Sequence, residues 1–419
     1  MSMLHISLWL IYFFIALALM RKSKRMANSG LSINEVTVLF TVQILMGLAV
    51  GLVTYRLHAS KDYWALHQEG LAEYRLLITN PGAFCKSILY SPYQDSYGNY
   101  FNAVGSYWND LRNNLLTKTL AICNIFSRGD YYINSLFFNC LGFWGHWAFF
   151  SLFRQVYPGK KYTLIFTCFL IPSLLFYTSG IHKDLVVFSC LGFFVKAMYD
   201  LAHSSSFRYK HLLQITISFI VLLLIRNFLA MLLIPLTASY YWTEKRKWNP
   251  LISFSGILII LLIYTFFADQ FQIGISPVSI IAQRQYDFMQ LRVAHSSLHL
   301  TPLSPGFAGI VANFPEAINH AFLRPYPWEA SSVFALLLSI ELWSFLILLL
   351  IGMIKKITLF GRPRPIIIYG LLIAVLMFII TGYIIPNSNS IIRYKSLYLP
   401  LFITPFLSQL NFKLIRINL

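Results

Sequence analysis

Three ionisable residues in a row, His182, Lys183 and Asp184, separate two apolar runs at 162–181 and 185–201. Crossing hydrocarbon takes about 20 residues at 1.5 Å each. Each run is long enough or nearly so, which puts the triplet at a membrane boundary. A charge near the hydrocarbon costs at least about 2.5–3.5 kcal/mol on insertion scales, so it marks a pathway or a site. A carboxylate beside lysine and imidazole, partly withdrawn from water, suits general-base work on a hydroxyl. Asp184 also heads an apolar run, where it can cap a helix, and Lys183 can snorkel. Both roles stay open.

Arginine offers a second chemistry. Arg226 interrupts the apolar stretch 211–242, and its planar fork matches phosphate oxygens in bidentate fashion. An internal salt bridge, to Asp184 or Glu329, is the competing use. Arg324-Pro-Tyr-Pro-Trp328-Glu329 precedes another apolar run. Its prolines forbid helix and present Arg324, Trp328 and Glu329 from a rigid turn; the tryptophan can stack on a sugar ring or serve in an interfacial belt. Glu341, inside that run, is a buried acid in need of a partner. Arg393-Tyr394-Lys395, with Tyr398, precedes the last apolar run and can bind phosphate or anchor to headgroups. Arg284, Arg292, His295, His299 and His320 add cations and proton carriers. His295 and His299 lack a third ligand nearby, so no metal site is expected. Cys85, Cys123, Cys140, Cys168 and Cys190 form no C-x-x-C pair and no disulfide framework.

The elements that must hold these residues are membrane helices. Of 419 residues, 57% are hydrophobic and 11% charged, far from the composition of a water-soluble domain. Mean hydropathy is +0.63. Eleven apolar segments fit the chain, near 4–20, 36–55, 131–153, 162–181, 185–201, 211–225, 227–242, 251–268, 333–354, 365–385 and 396–410. The expected fold is an all-α polytopic transmembrane helix bundle of about 11 spans, one integral membrane domain over 1–419. The formal charge is +18, yet 18 of the 33 Lys and Arg sit in short connectors that all fall on one side of this layout. That is the positive-inside pattern rather than a nucleic-acid surface. It predicts an outside N-terminus, a cytoplasmic C-terminus and two large, partly helical extracytoplasmic loops at about 56–130 and 269–332. The first apolar run ends in RKSKR without a small-residue cleavage site, so it reads as a retained span. A run at 113–127 has the spacing of an interfacial helix.

P-loop, G-x-G-x-x-G, H-E-x-x-H and G-x-S-x-G patterns are all missing. What remains resembles a family. IPSLLFYTSGIHKD is similar to the P-S-x-x-F-x-x-S-G-x-x-K-[DE] stretch of polytopic bacterial proteins of envelope polysaccharide assembly. These are membrane glycosyltransferases of the GT-C type and O-antigen or exopolysaccharide polymerases. FLRPYPWEA, IIRYKSLYLPLF and the Arg226 stretch resemble motifs of the same group, and together cover under a sixth of the chain. The resemblance implies transfer or polymerisation of polyprenyl-(pyro)phosphate-linked saccharide at the outer face of the inner membrane, without nucleotide sugar, ATP, metal or other cofactor. It implies contact with membrane lipid and with other polysaccharide-assembly proteins, and none with nucleic acid. Lys183 and Asp184 take the K-[DE] position, Arg324 and Glu329 the R-P-x-x-W-E positions, and Arg393 the R-Y-[KR] position. The expected proton carriers are Asp184, Lys183, Asp95 and Glu329; the expected substrate contacts are His182, Arg226, Arg324, Trp328, Arg393 and Lys395, with aromatics of 90–108 on the glycan. GT-C enzymes place a catalytic acid in the first outer loop, and Asp62, Glu69, Asp95 and Asp110 compete for that place. A transporter or flippase of lipid-linked oligosaccharide is the alternative function.

Overall fold

The computed structural model describes residues 3–56, 61–93, 106–204, 208–271, 276–290, 298, 300–304, 306–330, 332–354 and 364–410. Every element among them is helical. The principal ones are α1 (Met3–Lys22), α2 (Ile33–Arg56), α3 (Lys61–Thr79), α4 (Tyr107–Ser127), α5 (Tyr131–Val156), α6 (Pro172–Tyr177), α7 (Lys183–His203) and α8 (Tyr209–Ile225). They continue with α9 (Asn227–Arg246), α10 (Pro250–Gln270), α11 (Pro277–Met289), α12 (Val333–Ile354), α13 (Pro365–Ile384), α14 (Ser388–Ser396) and α15 (Leu399–Leu407).

Seven described helices are long and apolar enough to cross a membrane: α1, α2, α5, α7, α10, α12 and α13. The other apolar segments are shorter or broken for local reasons. Pro172 stops a π-helical turn at 166–170 and starts α6 afresh, so the run 162–181 is two half-helices. The 17-residue α8 ends at Arg226, whose backbone (φ −136°, ψ 68°) leaves the helical region before α9 begins. The last run, 396–410, holds the nine-residue α15, and α14 lies ahead of it.

Contacts between helix ends fix their directions. His5 lies 3.9 Å from Asp130, so α1 begins at the end of the bundle where α5 begins. Glu35, at the start of α2, pairs with Lys161 at 2.7 Å, and Arg364, before α13, donates to the Val156 carbonyl at 2.8 Å. Both contacts belong to the opposite end. His203, at the end of α7, lies 4.0 Å from Glu244 near the end of α9. The chain therefore reverses at Arg226, and the starts of α7 and α9 share one end of the bundle.

The core centres on α5, α7 and α8. Small residues let α5 and α7 approach closely: a Cβ on Gly145 would stand 2.7 Å from Ser189 Cα, and one on Gly192 would stand 2.9 Å from the Gly145 carbonyl oxygen. In lipid, where apolar burial gives no net drive, such close contact supplies packing energy. The lipid-facing character of α10 and α12 is plain from their exposed Ile252, Ile260, Leu337 and Ile340.

Candidate functional site

The turn between α6 and α7 carries the His-Lys-Asp triplet, and buried amides hold it. Gln43 of α2 donates to the Thr178 carbonyl at 2.9 Å and to Ser179 Oγ at 3.1 Å. Asn139 Oδ1 of α5 accepts from the Gly180 N–H at 3.1 Å. His146, also on α5, bonds Thr178 Oγ1 at 2.9 Å. Gly180 has φ +80°, a conformation side-chained residues resist. The Thr178 carbonyl and the Gly180 N–H of the reversal thus find partners, as an apolar interior demands.

From this turn Asp184 enters the first helical step of α7, fully buried. Its Oδ1 accepts from Arg226 Nη2 at 2.5 Å. Its Oδ2 faces Arg393 Nε at 3.3 Å, an ion contact without hydrogen-bond alignment, and lies 3.2 Å from His182 Nδ1. The aligned bond of His182 Nδ1 is the one it accepts from the Asp184 main-chain N–H, at 3.2 Å, so the imidazole caps α7. The ring of Tyr63, from α3, stacks on His182 with centroids 4.5 Å apart.

Arg393 extends the cluster outward. Its Nη1 donates to Asp62 Oδ2 at 3.1 Å and its Nη2 to Tyr394 Oη at 3.2 Å. The Arg226 guanidinium lies 4.0 Å over the Tyr394 ring, a desolvated cation–π contact. Lys183 lies in the fields of Tyr394, Arg112, Arg393 and Asp184. Burial opposes ionisation of Tyr394, yet Arg393, Arg226 and Lys183 outweigh it and bring the phenol down to about 7. Burial likewise opposes ionisation of Asp62, but Arg393, Lys183 and His182 hold its carboxyl below the usual range.

A second cluster lies on the other side of α14, because residues 393 and 395 point about 200° apart around a helix. Lys395 Nζ donates to the carbonyls of Ala321 and Arg324, at 3.1 and 2.8 Å, and burial pushes its ammonium down to about 7. Arg324 donates to His320 Nε2 at 2.8 Å and pairs with Glu329 at 3.3 Å. Burial and Arg324 push His320 down to about 4, which leaves it a neutral acceptor. Trp328 stacks on Tyr326 with centroids 4.7 Å apart and is 76% exposed.

The structure therefore brings His182, Lys183, Asp184, Arg226 and Arg393 together. Arg324, Trp328, Glu329 and Lys395 gather separately, and Arg324 is committed to His320 and Glu329 rather than to the Arg226–Arg393 pair. Asp95, His295 and His299 lie outside the described residues, as does most of the aromatic stretch 90–108. Glu341 finds its partner on α6, accepting from Ser173 N at 2.8 Å and Ser173 Oγ at 2.5 Å. Among the described residues no group of three His, Cys, Asp or Glu could hold a metal ion.

Sequence reasoning singled out neither Tyr63 nor the amides that pin the turn. Gln43, Asn139 and His146 carried a usable signal, being polar residues inside apolar runs. Tyr63 carried none, since aromatics crowd its whole segment.

Fold and site together define an all-helical chain, with apolar helices that fit a membrane and a charged cluster at one end of the bundle. No protein-family model, no curated protein and no solved structure matches the chain.

Proposed function

We propose that the protein is a membrane glycosyltransferase or polysaccharide polymerase that moves sugar from a polyprenyl-(pyro)phosphate carrier at the outer face of the inner membrane. One observation carries this reading: Arg226 and Arg393 are held side by side on Asp184 at one end of the bundle, with Lys183 beside them and the half-exposed acid Asp62 bonded to Arg393. Fixed guanidinium groups stabilise charge that develops on a departing phosphate.

The placement of basic residues supports this arrangement. Arg154, Lys160, Lys161 and Arg364 cluster at the opposite end, where Lys161 meets Glu35 and Arg364 meets Val156. The positive-inside rule makes that end cytoplasmic and the site extracytoplasmic. The start of α1 lies at the site end, in keeping with an outside N-terminus.

In the proposed reaction an acceptor hydroxyl attacks the anomeric carbon, and the bond from that carbon to the phosphate oxygen breaks. The hydroxyl proton passes to Asp62, and the lipid phosphate leaves against Arg226 and Lys183. Asp184 is poorly placed as the base, because two guanidinium groups and an imidazole surround it without room for a sugar. Asp62 has 53% of its side chain exposed. A phosphate bound beside Arg393 and Lys183 offsets the charges that depress Asp62, so donor binding itself restores the basicity the step needs. Trp328, exposed in the second cluster, is the surface for a sugar ring.

The test is turnover. Purified protein in nanodiscs, given polyprenyl-linked oligosaccharide, is expected to release polyprenyl (pyro)phosphate and a longer glycan. Movement of the intact lipid across the bilayer without bond cleavage would establish the transport alternative instead, although a site confined to one end lends that alternative no support.

A further inference from the structure

The connector between α9 and α10 carries chemistry that the charged site does not use. α5 and α7 run in the same direction, since Ser189 Oγ donates to the Leu141 carbonyl at 3.2 Å and Gly192 stands against Gly145. His203, at the end of α7, lies beside Glu244. α9 therefore ends where α5 and α7 end, opposite the site. The chain there reads Tyr241-Trp242-Thr-Glu244-Lys245-Arg246-Lys247-Trp248. Glu244 faces His203 Nε2 at 4.0 Å and Thr243 is buried. Tyr241, Trp242 and Trp248 are exposed, and so are Lys245, Arg246 and Lys247.

Two of these cations are folded back toward the bilayer. Side chains on a helix lean toward its N-terminus, and residues four apart share a face. Lys245 Nζ lies 5.6 Å over the Tyr241 ring, and the Arg246 guanidinium lies 5.3 Å over the Trp242 ring. Each cation thus sits above a ring one turn, about 5.4 Å, closer to the membrane. Lys247 takes the left-handed conformation (φ 54°) that ends α9. The chain then sets Trp248 edge-on to Trp242, with centroids 5.9 Å apart. Tyrosine and tryptophan settle at headgroup level in a bilayer, so their rings hold Lys245 and Arg246 at the depth of lipid phosphates.

We infer that Tyr241, Trp242, Lys245, Arg246, Lys247 and Trp248 form a binding site for the headgroup of an anionic phospholipid in the leaflet at this end. The inference is independent of the transfer reading. The lipid phosphate accepts charge-assisted bonds from Arg246 and Lys245, and the indoles cover the glycerol and the start of the chains. A choline headgroup brings a cation of its own against Lys247, whereas a glycerol headgroup brings none. Interfacial aromatics alone would show no preference between the two lipids. Basic residues alone would show one that ignores the rings. A site in which the rings position the cations shows a preference that depends on both.

The experiment uses the full chain in detergent micelles, titrated with dioleoyl phosphatidylglycerol or dioleoyl phosphatidylcholine, with the first bound lipid read by native mass spectrometry. Wild type is expected to bind phosphatidylglycerol about tenfold or more tightly, given the attraction of each nearby cation for anionic lipid. Trp242→Ala keeps every charge, yet is expected to reduce that preference about threefold by removing the ring under Arg246. The triple change Lys245→Gln, Arg246→Gln and Lys247→Gln is expected to bring the two lipids within about twofold of each other, whereas Lys22→Gln, Lys24→Gln and Arg25→Gln together, an equal loss of exposed charge at another connector, should leave the preference within about twofold of wild type. Equal binding of the two lipids by wild type overturns the site and needs no variant to fold. A full preference in Trp242→Ala, or an equal loss in both triple variants, reduces the effect to net charge and overturns it as well. Inorganic phosphate added as competitor is expected not to displace the lipid; displacement would mark a free-anion site and overturn the lipid assignment.

Discussion

Arg226 Nη2 and Asp184 Oδ1 meet at 2.5 Å, joining the start of α7 to the reversal between α8 and α9. A fully buried carboxylate in this position is tolerable only because the guanidinium groups beside it compensate its lost hydration. The pair is a keystone: Asp184 fixes where Arg226 and Arg393 point, and they fix where a phosphate can dock.

Asp184→Asn is therefore expected to cost about 3–5 kcal/mol of stability, the cost of leaving buried partner charges without their counterion. Denaturant unfolding in detergent measures it. Pairing the change with Arg226→Gln should recover part of the loss, with a coupling energy of about 0.5–3 kcal/mol. Additive effects would mean that the two side chains do not act as a pair. Arg226→Lys should fail to substitute, since an ammonium cannot reproduce the planar fork.

Much of this was legible in the residues themselves. Charges at apolar boundaries announced His182, Lys183, Asp184, Arg226 and Arg393, because lipid makes any charge expensive and so informative. The break at Arg226 could be read from one charged residue in a long apolar stretch. What could not be read was grouping. Arg324 looked equivalent to Arg226 and Arg393 in one dimension, but the helical offset of Lys395 from Arg393 sets it in a different cluster. Nor did spacing reveal that Asp62 is, among the competing acids in the described residues, the one that reaches Arg393. The break at Pro172 inside the run 162–181 was not read, since apolar length alone does not register it.

Asp62→Asn should separate chemistry from folding. The side chain is half exposed and pairs only at its outer edge, so expression and thermal stability should stay close to wild type. Product formation should fall about 10²–10⁴-fold, the usual contribution of a positioned proton acceptor. Undiminished turnover in Asp62→Asn would remove this residue from the reaction. A matching loss in Glu69→Gln, whose carboxyl is raised by burial and lowered by Lys183, would move the role there.

Tyr394 gives the site a pH dependence of defined sign. Its phenol, held near 7 by Arg393, Arg226 and Lys183 against burial, ionises in the empty site above that value. A bound phosphate repels the phenolate and raises its pKa, so binding takes up a proton. Affinity for farnesyl diphosphate should then fall as pH rises above about 7, by at most about tenfold per unit for one proton. Asp62 is held below its usual range and His182 is lowered chiefly by burial, so both keep one charge state across that window. Lys395 titrates near 7 as well, but it faces the Ala321 and Arg324 carbonyls. Tyr394→Phe should flatten the profile, and a slope that persists in this variant assigns the proton elsewhere.

Glu341 supplies the remaining prediction, because it acts on the site from a distance. Its carboxylate is the polar tie between α12 and the first turn of α6, on a helix whose Leu337 and Ile340 face outward. Glu341→Ala leaves the Ser173 N–H and hydroxyl without acceptors, a loss of about 1–3 kcal/mol. Glu341→Gln, which retains one acceptor oxygen, should cost less. Since α6 runs directly into the turn that holds His182 and Asp184, turnover should fall in step with stability in both variants. Farnesyl diphosphate, by holding Arg226 and Lys183 in place, should restore part of the melting temperature. An alanine variant with wild-type stability would show that α12 is held by apolar packing alone, and that the Ser173 contact has no part in positioning the turn.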